Sequence, residues 1–229
     1  MESLIIFLLI MYVINMIPKY ISFRKSNYKN ASGNSFSKTV FDKGNYGEFK
    51  TFQYLEKLSV YKKLVTNLYL PKANGETTEI DLLMLSEKGI YVFESKNYSG
   101  WIFGDEKNKN WTQTLQNKQK NSFYNPIWQN KGHITALKAV SEINENNFYK
   151  SFIIFSERCT LKKINITSPS VKVINRNQII RAIKEDMNNL PNLMTNEEVD
   201  KLYSKLQNYT HANDFIKRAH VENIKTKKL

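Results

Sequence analysis

Cysteine is nearly absent: Cys159 stands alone among 229 residues. That excludes an internal disulfide and any zinc motif built on cysteine pairs. The residue follows an apolar stretch and reads as a core thiol rather than a nucleophile. There are 3 histidines. His211 and His220 lack metal-ligand spacing, and no Ser-His-Asp arrangement is visible. No Gly-rich phosphate loop, internal repeat or long low-complexity tract occurs. Acidic residues are in deficit, 21 against 34 Lys and Arg, which leaves a net charge of +13 and a sequence pI near 9.6. A polyanion is the partner that balance suits. At 41% hydrophobic and 24% charged, the chain is globular rather than disordered.

The longest apolar run, Leu4 to Ile17, has 14 residues, shorter than the roughly 20 of a spanning helix. Tyr20 to Phe23 extends it beyond Pro18 and Lys19. No Lys or Arg precedes it and no small-residue cleavage site follows, which argues against a removed signal peptide. Lys19, Arg24, Lys25 and Lys29 follow, so the positive-inside rule puts the remainder in the cytoplasm. The run reads as a single-pass transmembrane helix at the cell membrane; a buried or partner-bound apolar helix is the alternative. Residues 1–23 form this anchor, and 24–43, rich in Ser, Asn and Lys, read as a linker.

The most informative stretch runs from Glu79 to Lys96. Two apolar segments flank Glu87-Lys88-Gly89, a hairpin signal. Charged residues sit at its open end: Asp81 where the first strand begins, Glu94 and Lys96 where the second ends. Glu94 and Lys96, two apart, share a strand face. Two registers are open. If Ser86 pairs with Gly89, Asp81 falls opposite Glu94. If Ser86 pairs with Ile90 around a bulge, Asp81 faces Ser95 and must be re-aimed. Adjacent carboxylates repel unless a cation separates them, and Mg²⁺ suits oxygen donors. The pattern therefore fits metal-assisted phosphodiester hydrolysis, with an ordinary surface ion-pair cluster as the plain alternative.

Further motifs surround the hairpin. Gly44-Asn45-Tyr46-Gly47-Glu48 opens a helical pattern running to Tyr61, and Asn125-Pro126 opens another running to Glu145. Together with Glu79-Ile80-Asp81, Val92 to Tyr98, Gly100, Trp101, Gln129 and His133, this order resembles the nuclease-related domain (NERD) family. That family is a branch of the PD-(D/E)xK restriction-endonuclease-like superfamily. The resemblance covers about residues 40 to 160. It implies an α/β fold, a restriction-endonuclease-like mixed β-sheet flanked by helices, and DNA as substrate, with RNA open. It implies that Asp81 and Glu94 bind Mg²⁺ or Mn²⁺, that Glu48 supplies the acidic residue of the first helix, that Lys96 is the catalytic lysine and that Gln129 supports the site. Ile80 stands where the superfamily's name has proline, a departure the family tolerates.

From Lys107 through Ser141 there is no Asp or Glu. Lys107, Lys109, Lys118, Lys120 and Lys131 fall there, with Trp111 among them, and read as nucleic-acid contacts through phosphate pairing and base stacking. A solvated basic surface over buried aromatics is the alternative. His133, one turn beyond Gln129, reads as a structural histidine, with an approach to the substrate phosphate as the alternative. The remaining pattern gives strands at Leu64 to Leu70, Phe152 to Phe155 and Val171 to Ile174, with short edge strands at Gly100 to Phe103 and Trp111 to Leu115. Helices follow at Asn177 to Met187 and near Glu197. The nuclease-like domain thus spans 44–190, and 191–229 hold a final helix and a tail with Lys217, Arg218, Lys225, Lys227 and Lys228. A homodimer would supply the second site that cutting two strands at once needs. The competing function is a non-catalytic, membrane-tethered nucleic-acid-binding or scaffolding protein with a nuclease-like fold.

Overall fold

A computed structural model describes residues 1–210 together with Ala212 and Glu222. The basic tail from Lys217 to Lys228, His211 and His220 lie outside the described residues.

The N-terminal helix α1 spans Glu2–Lys25 and runs on through Pro18. It is therefore longer than the 14-residue apolar run, and is long and apolar enough to cross a membrane. A signal sequence has the same character. The segment expected as a linker instead holds two short helices, α2 (Tyr28–Ser32) and α3 (Phe36–Phe41). Tyr28 is the reason. Its ring is fully buried, 5.3 Å from Phe49 and 5.4 Å from Phe52. The Ser35 hydroxyl caps α3 by accepting from the Lys38 N–H.

Helix α4 spans Lys43–Glu56, several residues earlier than the spacing predicts, because the Asp42 carboxylate caps it by accepting from the Asn45 N–H at 2.8 Å. The strands β1 (Lys63–Pro71), β2 (Thr77–Ser86) and β3 (Gly89–Lys96) then form an antiparallel meander. Gly89 makes the turn at φ 121°, where a Cβ would strike the Phe148 carbonyl.

Next come β4 (Gly100–Asp105), β5 (Asn110–Thr114) and β6 (Lys120–Tyr124). Helix α5 spans Pro126–Ser141 and ends at Glu142 in the left-handed region, earlier than expected. It is followed by β7 (Tyr149–Phe155), β8 (Cys159–Asn165) and β9 (Val171–Asn175). Helices α6 (Ile179–Asn189) and α7 (Asn196–Gln207) close the described chain.

The strands make two mixed sheets. The five-stranded one has the order β1-β2-β3-β7-β9, with β7 and β9 parallel to β3. Residues from α4 and α6, including Phe49, Phe52 and Ile183, pack on one face against Leu82, Met84 and Phe93. On the other face Leu137 and Val140 of α5 and Val199 and Leu202 of α7 pack against Leu83, Leu85 and Val92. Burial on both faces explains the unbroken apolar runs of β2 and β3. The four-stranded sheet has the order β6-β5-β4-β8. Strands β6 and β8 were not legible in the sequence: alternation of polar and apolar residues over five and seven positions is a weak signal.

Candidate active site

The hairpin adopts the register in which Ser86 pairs with Gly89. Its ladder ends at Leu82–Phe93, one rung short of Asp81 and Glu94. These two residues therefore stand where the strands are released from each other. A local break in β2 adds to this. Ile80 packs in the cluster under α5, whereas Leu82 packs in the cluster under α4. Two residues apart on a regular strand would share a face, so the alternation slips at Asp81. The β1–β2 ladder skips the rung of Asp81 and Asn67, and Asn67 stands there at φ 53°. Its side-chain amide donates to the Ser32 carbonyl at 2.9 Å.

On β3 the alternation holds. Glu94 and Lys96 point towards α5, and Ser95 between them points towards α4. The Lys96 ammonium lies 2.6 Å from Glu94 Oε1 and donates to Gln129 Oε1 at 2.9 Å. Glu94 Oε2 meets His133 Nε2 at 3.1 Å, and His133 Nδ1 meets the Thr78 hydroxyl at 2.8 Å. His133 is buried and thus holds the Glu94 carboxylate from behind. Burial acts to raise the Glu94 carboxyl, but Lys96 and His133 outweigh it and hold it down at about 2. Burial likewise acts against the Lys96 charge, and Glu94 reverses this, keeping the ammonium above its ordinary range.

Glu48 and Asp81 behave in the opposite way. Burial, followed by the charges of Glu79 and Glu94, pushes the Glu48 carboxyl up to about 8. Burial and the charges of Glu94, Glu48 and Glu79 raise Asp81 well above its ordinary value. Glu79 is the acidic neighbour that the motif reading passed over. It sits two residues before Asp81 and accepts from the Tyr69 hydroxyl at 2.5 Å. Four carboxylates thus feel one another, with one lysine among them.

Among the described residues, no group of three His, Cys, Asp or Glu side chains is gathered closely enough to enclose a metal. The donor chemistry nonetheless fits a hard divalent cation. The groups are oxygen donors, and burial together with their mutual repulsion favours the neutral form of Glu48 and Asp81, which a bound cation would reverse by stabilising the carboxylates.

Two further sets of long-range bonds went unread in the sequence, although Asn125 there marks the start of α5. Asn125 caps α5 by accepting from the Ile127 N–H, and its amide donates to the carbonyls of Asp105, Glu106 and Asn108. It thereby ties the β4–β5 turn to the helix that carries Gln129. Arg176 is buried, donates to Thr51 of α4 at 3.2 Å and pairs with Glu157 at 3.0 Å. Thr51 in turn bonds Ser95 at 3.1 Å, which fixes α4 against β3. Arg176 has no local sequence signature, and that of Asn125 shows only the helix start, because their remaining partners are distant in the chain.

Of the expected nucleic-acid contacts, Lys107, Lys109, Lys118, Lys120 and Lys131 are exposed. Trp111 is a correction: it is 1% exposed and unavailable for stacking on a base. Its ring lies parallel to Phe155 at 6.2 Å, and its indole N–H donates to the Asp105 carbonyl at 3.0 Å.

The site's order of parts, from the helix bearing Glu48 to the helix bearing Gln129, coincides with a family match: residues 43–156 match the nuclease-related domain. The chain belongs to the nuclease-related domain family. The PD-(D/E)xK superfamily is its coarser frame. An uncharacterized protein of Bacillus anthracis is 30% identical over 227 residues, covering 99% of this chain and 98% of that relative. No solved structure matches. A nuclease-related domain points to nucleic acid as the substrate.

Proposed function

We propose that this chain is a divalent-metal-dependent nuclease that hydrolyses phosphodiester bonds of DNA while held at a membrane by α1. The observation that carries the reading is Lys96: its ammonium bridges Glu94 and Gln129 within a cluster of otherwise repelling carboxylates. Asp81 and Glu94, with Glu48 beside them, would hold Mg²⁺ or Mn²⁺, which when bound neutralises phosphate charge and acidifies water.

The protein's own residues do the rest. Lys96 keeps its proton and orients an attacking water or meets charge developing on the phosphate. Gln129 fixes the lysine from the α5 side. The Thr78–His133 pair fixes the Glu94 carboxylate through its Oε2. Lys107, Lys109, Lys118, Lys120 and Lys131 supply exposed charge for the phosphate backbone. Lys19, Arg24, Lys25 and Lys29 next to α1 favour a cytoplasmic domain on a single-pass anchor.

The test incubates the full chain in detergent with supercoiled plasmid, linear duplex, single-stranded DNA and RNA, each with Mg²⁺, Mn²⁺ or EDTA. Asp81→Asn, which removes a charge without removing volume, is the control. Metal-dependent cleavage lost in Asp81→Asn is the expected result. Nicked product indicates single sites, and direct linearisation indicates a homodimer. The competing reading, a non-catalytic tethered binding protein, draws on the Glu94–Lys96 ion pair, which occupies one carboxylate oxygen. Salt-sensitive binding with no cleavage under any metal would establish that reading instead.

A further inference from the structure

The four-stranded sheet has one face packed and one face open. Inward, Ile102, Trp111 and Cys159 join Ile127, Ile153 and Phe155 in a core cluster. Gly104 lies beneath Trp111, where any Cβ would strike the indole. Outward, Trp101 is 51% exposed although it is the largest side chain in β4. The register places Trp101 beside Thr114 and Thr160, and Phe103 beside Thr112, with Thr112 next to Ser122 and Thr114 next to Lys120. Trp101, Phe103, Thr112, Thr114 and Lys120 line a shallow open groove of about 400 Å³. The Lys162 ammonium lies 5.1 Å from the Trp101 ring centre.

The charge on this face has one sign. Across β4, β5, β6 and β8 the single acidic residue is Asp105, at the far end of β4. It is already engaged, accepting from the Asn165 amide and the Lys107 N–H. Lys118, Lys120, Lys162 and Lys163 are exposed on these strands and their turns. A large aromatic left in water on a flat polar sheet, ringed by lysines and interspersed with hydroxyls, matches one ligand chemistry: a single strand of nucleic acid. Its bases stack on rings and its phosphates meet ammonium groups. A duplex buries its base faces and cannot stack this way. A lipid surface has no use for the row of threonine hydroxyls between the rings.

We infer that the outer face of the β6-β5-β4-β8 sheet is a single-strand platform on which Trp101 stacks a base of the substrate. Trp101 is five residues beyond Lys96, a span of at most about 18 Å. A strand stacked on Trp101 therefore lies near the proposed cleavage site. The substrate of that site is then single-stranded or locally unpaired nucleic acid. This deepens the nuclease reading and rests on it for the cleavage step alone; binding to the sheet does not depend on it.

The test measures binding of a labelled oligothymidylate of about twelve nucleotides, a length within the site sizes of single-strand binders. The full chain in detergent is used with EDTA, in an Asp81→Asn background, against a duplex of equal length. Trp101→Ala should weaken single-strand binding about tenfold, or ~1.4 kcal/mol, and leave duplex binding within twofold. Trp101→Phe should retain most of the affinity, and Lys162→Ala should flatten the salt dependence. Unchanged single-strand affinity in Trp101→Ala, or an equal loss on both nucleic acids, would overturn the platform. So would affinity for anionic vesicles that falls in Trp101→Ala while oligonucleotide binding does not. A Trp101 effect without cleavage by the unmutated chain would retain the platform and refute the nuclease.

Discussion

The β1–β2 ladder skips one rung, that of Asn67 and Asp81, between Thr66–Leu82 and Leu68–Ile80, and Asn67 there is in the left-handed conformation at φ 53°. At this rung β2 loses its alternation: Ile80 packs under α5 and Leu82 under α4. The conformation of one strand thus sets the aim of a carboxylate on the next. Asn accepts that conformation far better than a β-branched residue does. Asn67→Val is expected to lose about 1–2 kcal/mol of stability and most metal-dependent cleavage. Asn67→Gly, which accepts the conformation but drops the bond to Ser32, should keep more of both. Denaturant unfolding and plasmid cleavage, run side by side, check this; equal behaviour of the two variants would break the link.

Lys96→Ala removes the proposed catalytic ammonium and also takes from Glu94, which is 2% exposed, its charged partner, leaving it His133 alone. Loss of a buried partner costs about 3–5 kcal/mol. The single variant should therefore be both inactive and less stable. The double variant Glu94→Gln, Lys96→Met should regain stability while cleavage stays lost. A double variant no more stable than Lys96→Ala would contradict the ion-pair assignment.

Glu48 gives a pH dependence of defined sign. Its carboxyl titrates at about 8 in the folded protein against 4.5 for the free side chain. Between those values the folded state holds a proton that the unfolded state has released, so metal-free stability falls as pH rises through that window. Thermal unfolding in EDTA should show this decline, and Glu48→Gln should flatten it. Adding Mg²⁺ near pH 8 should recover stability in the unmutated chain and far less in the variant. A flat profile without metal would remove the basis for the buried carboxylate cluster.

The anchor boundary is testable as well. Phe23, the last-turn residue of α1, is 3% exposed and packs at 5.6 Å on Phe36 and 5.7 Å on Phe49. Gln53 of α4 donates to the Ser22 hydroxyl at 2.6 Å. A soluble fragment beginning at Lys25 should be about 3 kcal/mol less stable than one beginning at Tyr20, the cost of vacating a buried phenylalanine site. Equal stability would mean that α1 rests on the domain without bonding to it energetically. If the packing holds, the helix bearing Glu48 is fixed to α1 rather than joined by a slack linker.

Much of the site was readable because its signals are local. Glu94 and Lys96 share a face by the period of a strand, Asp81 lies at the open end of the hairpin although β2 itself begins earlier, at Thr77, and Glu87-Lys88-Gly89 defines the turn. Pro126 and Asn125 announce the start of the helix that carries Gln129. The apolar runs Leu82 to Leu85 and Ile90 to Phe93 could only be strands covered on both faces, as they are.

Other features depended on residues far apart in the chain. Residues 24–43 looked like a linker by composition, yet Tyr28 found a pocket between Phe49 and Phe52 and ordered them. The support of Glu94 by His133 and Thr78 spans 39 and 55 residues, beyond any pattern in a window. Trp111 and Trp101 make the sharpest contrast. Both are tryptophans on short polar strands of one sheet, and composition cannot tell them apart. The missing side chain of Gly104 leaves room for Trp111 against Phe155, while pleating turns Trp101 to the opposite, uncovered face. The sequence by itself determined which residues carry charge, which segments are strands and where the hairpin turns, since these follow from local periodicity and turn chemistry. Only the tertiary structure decided which aromatic is core and which is surface, and where Asp81 points, because both depend on what distant segments leave room for.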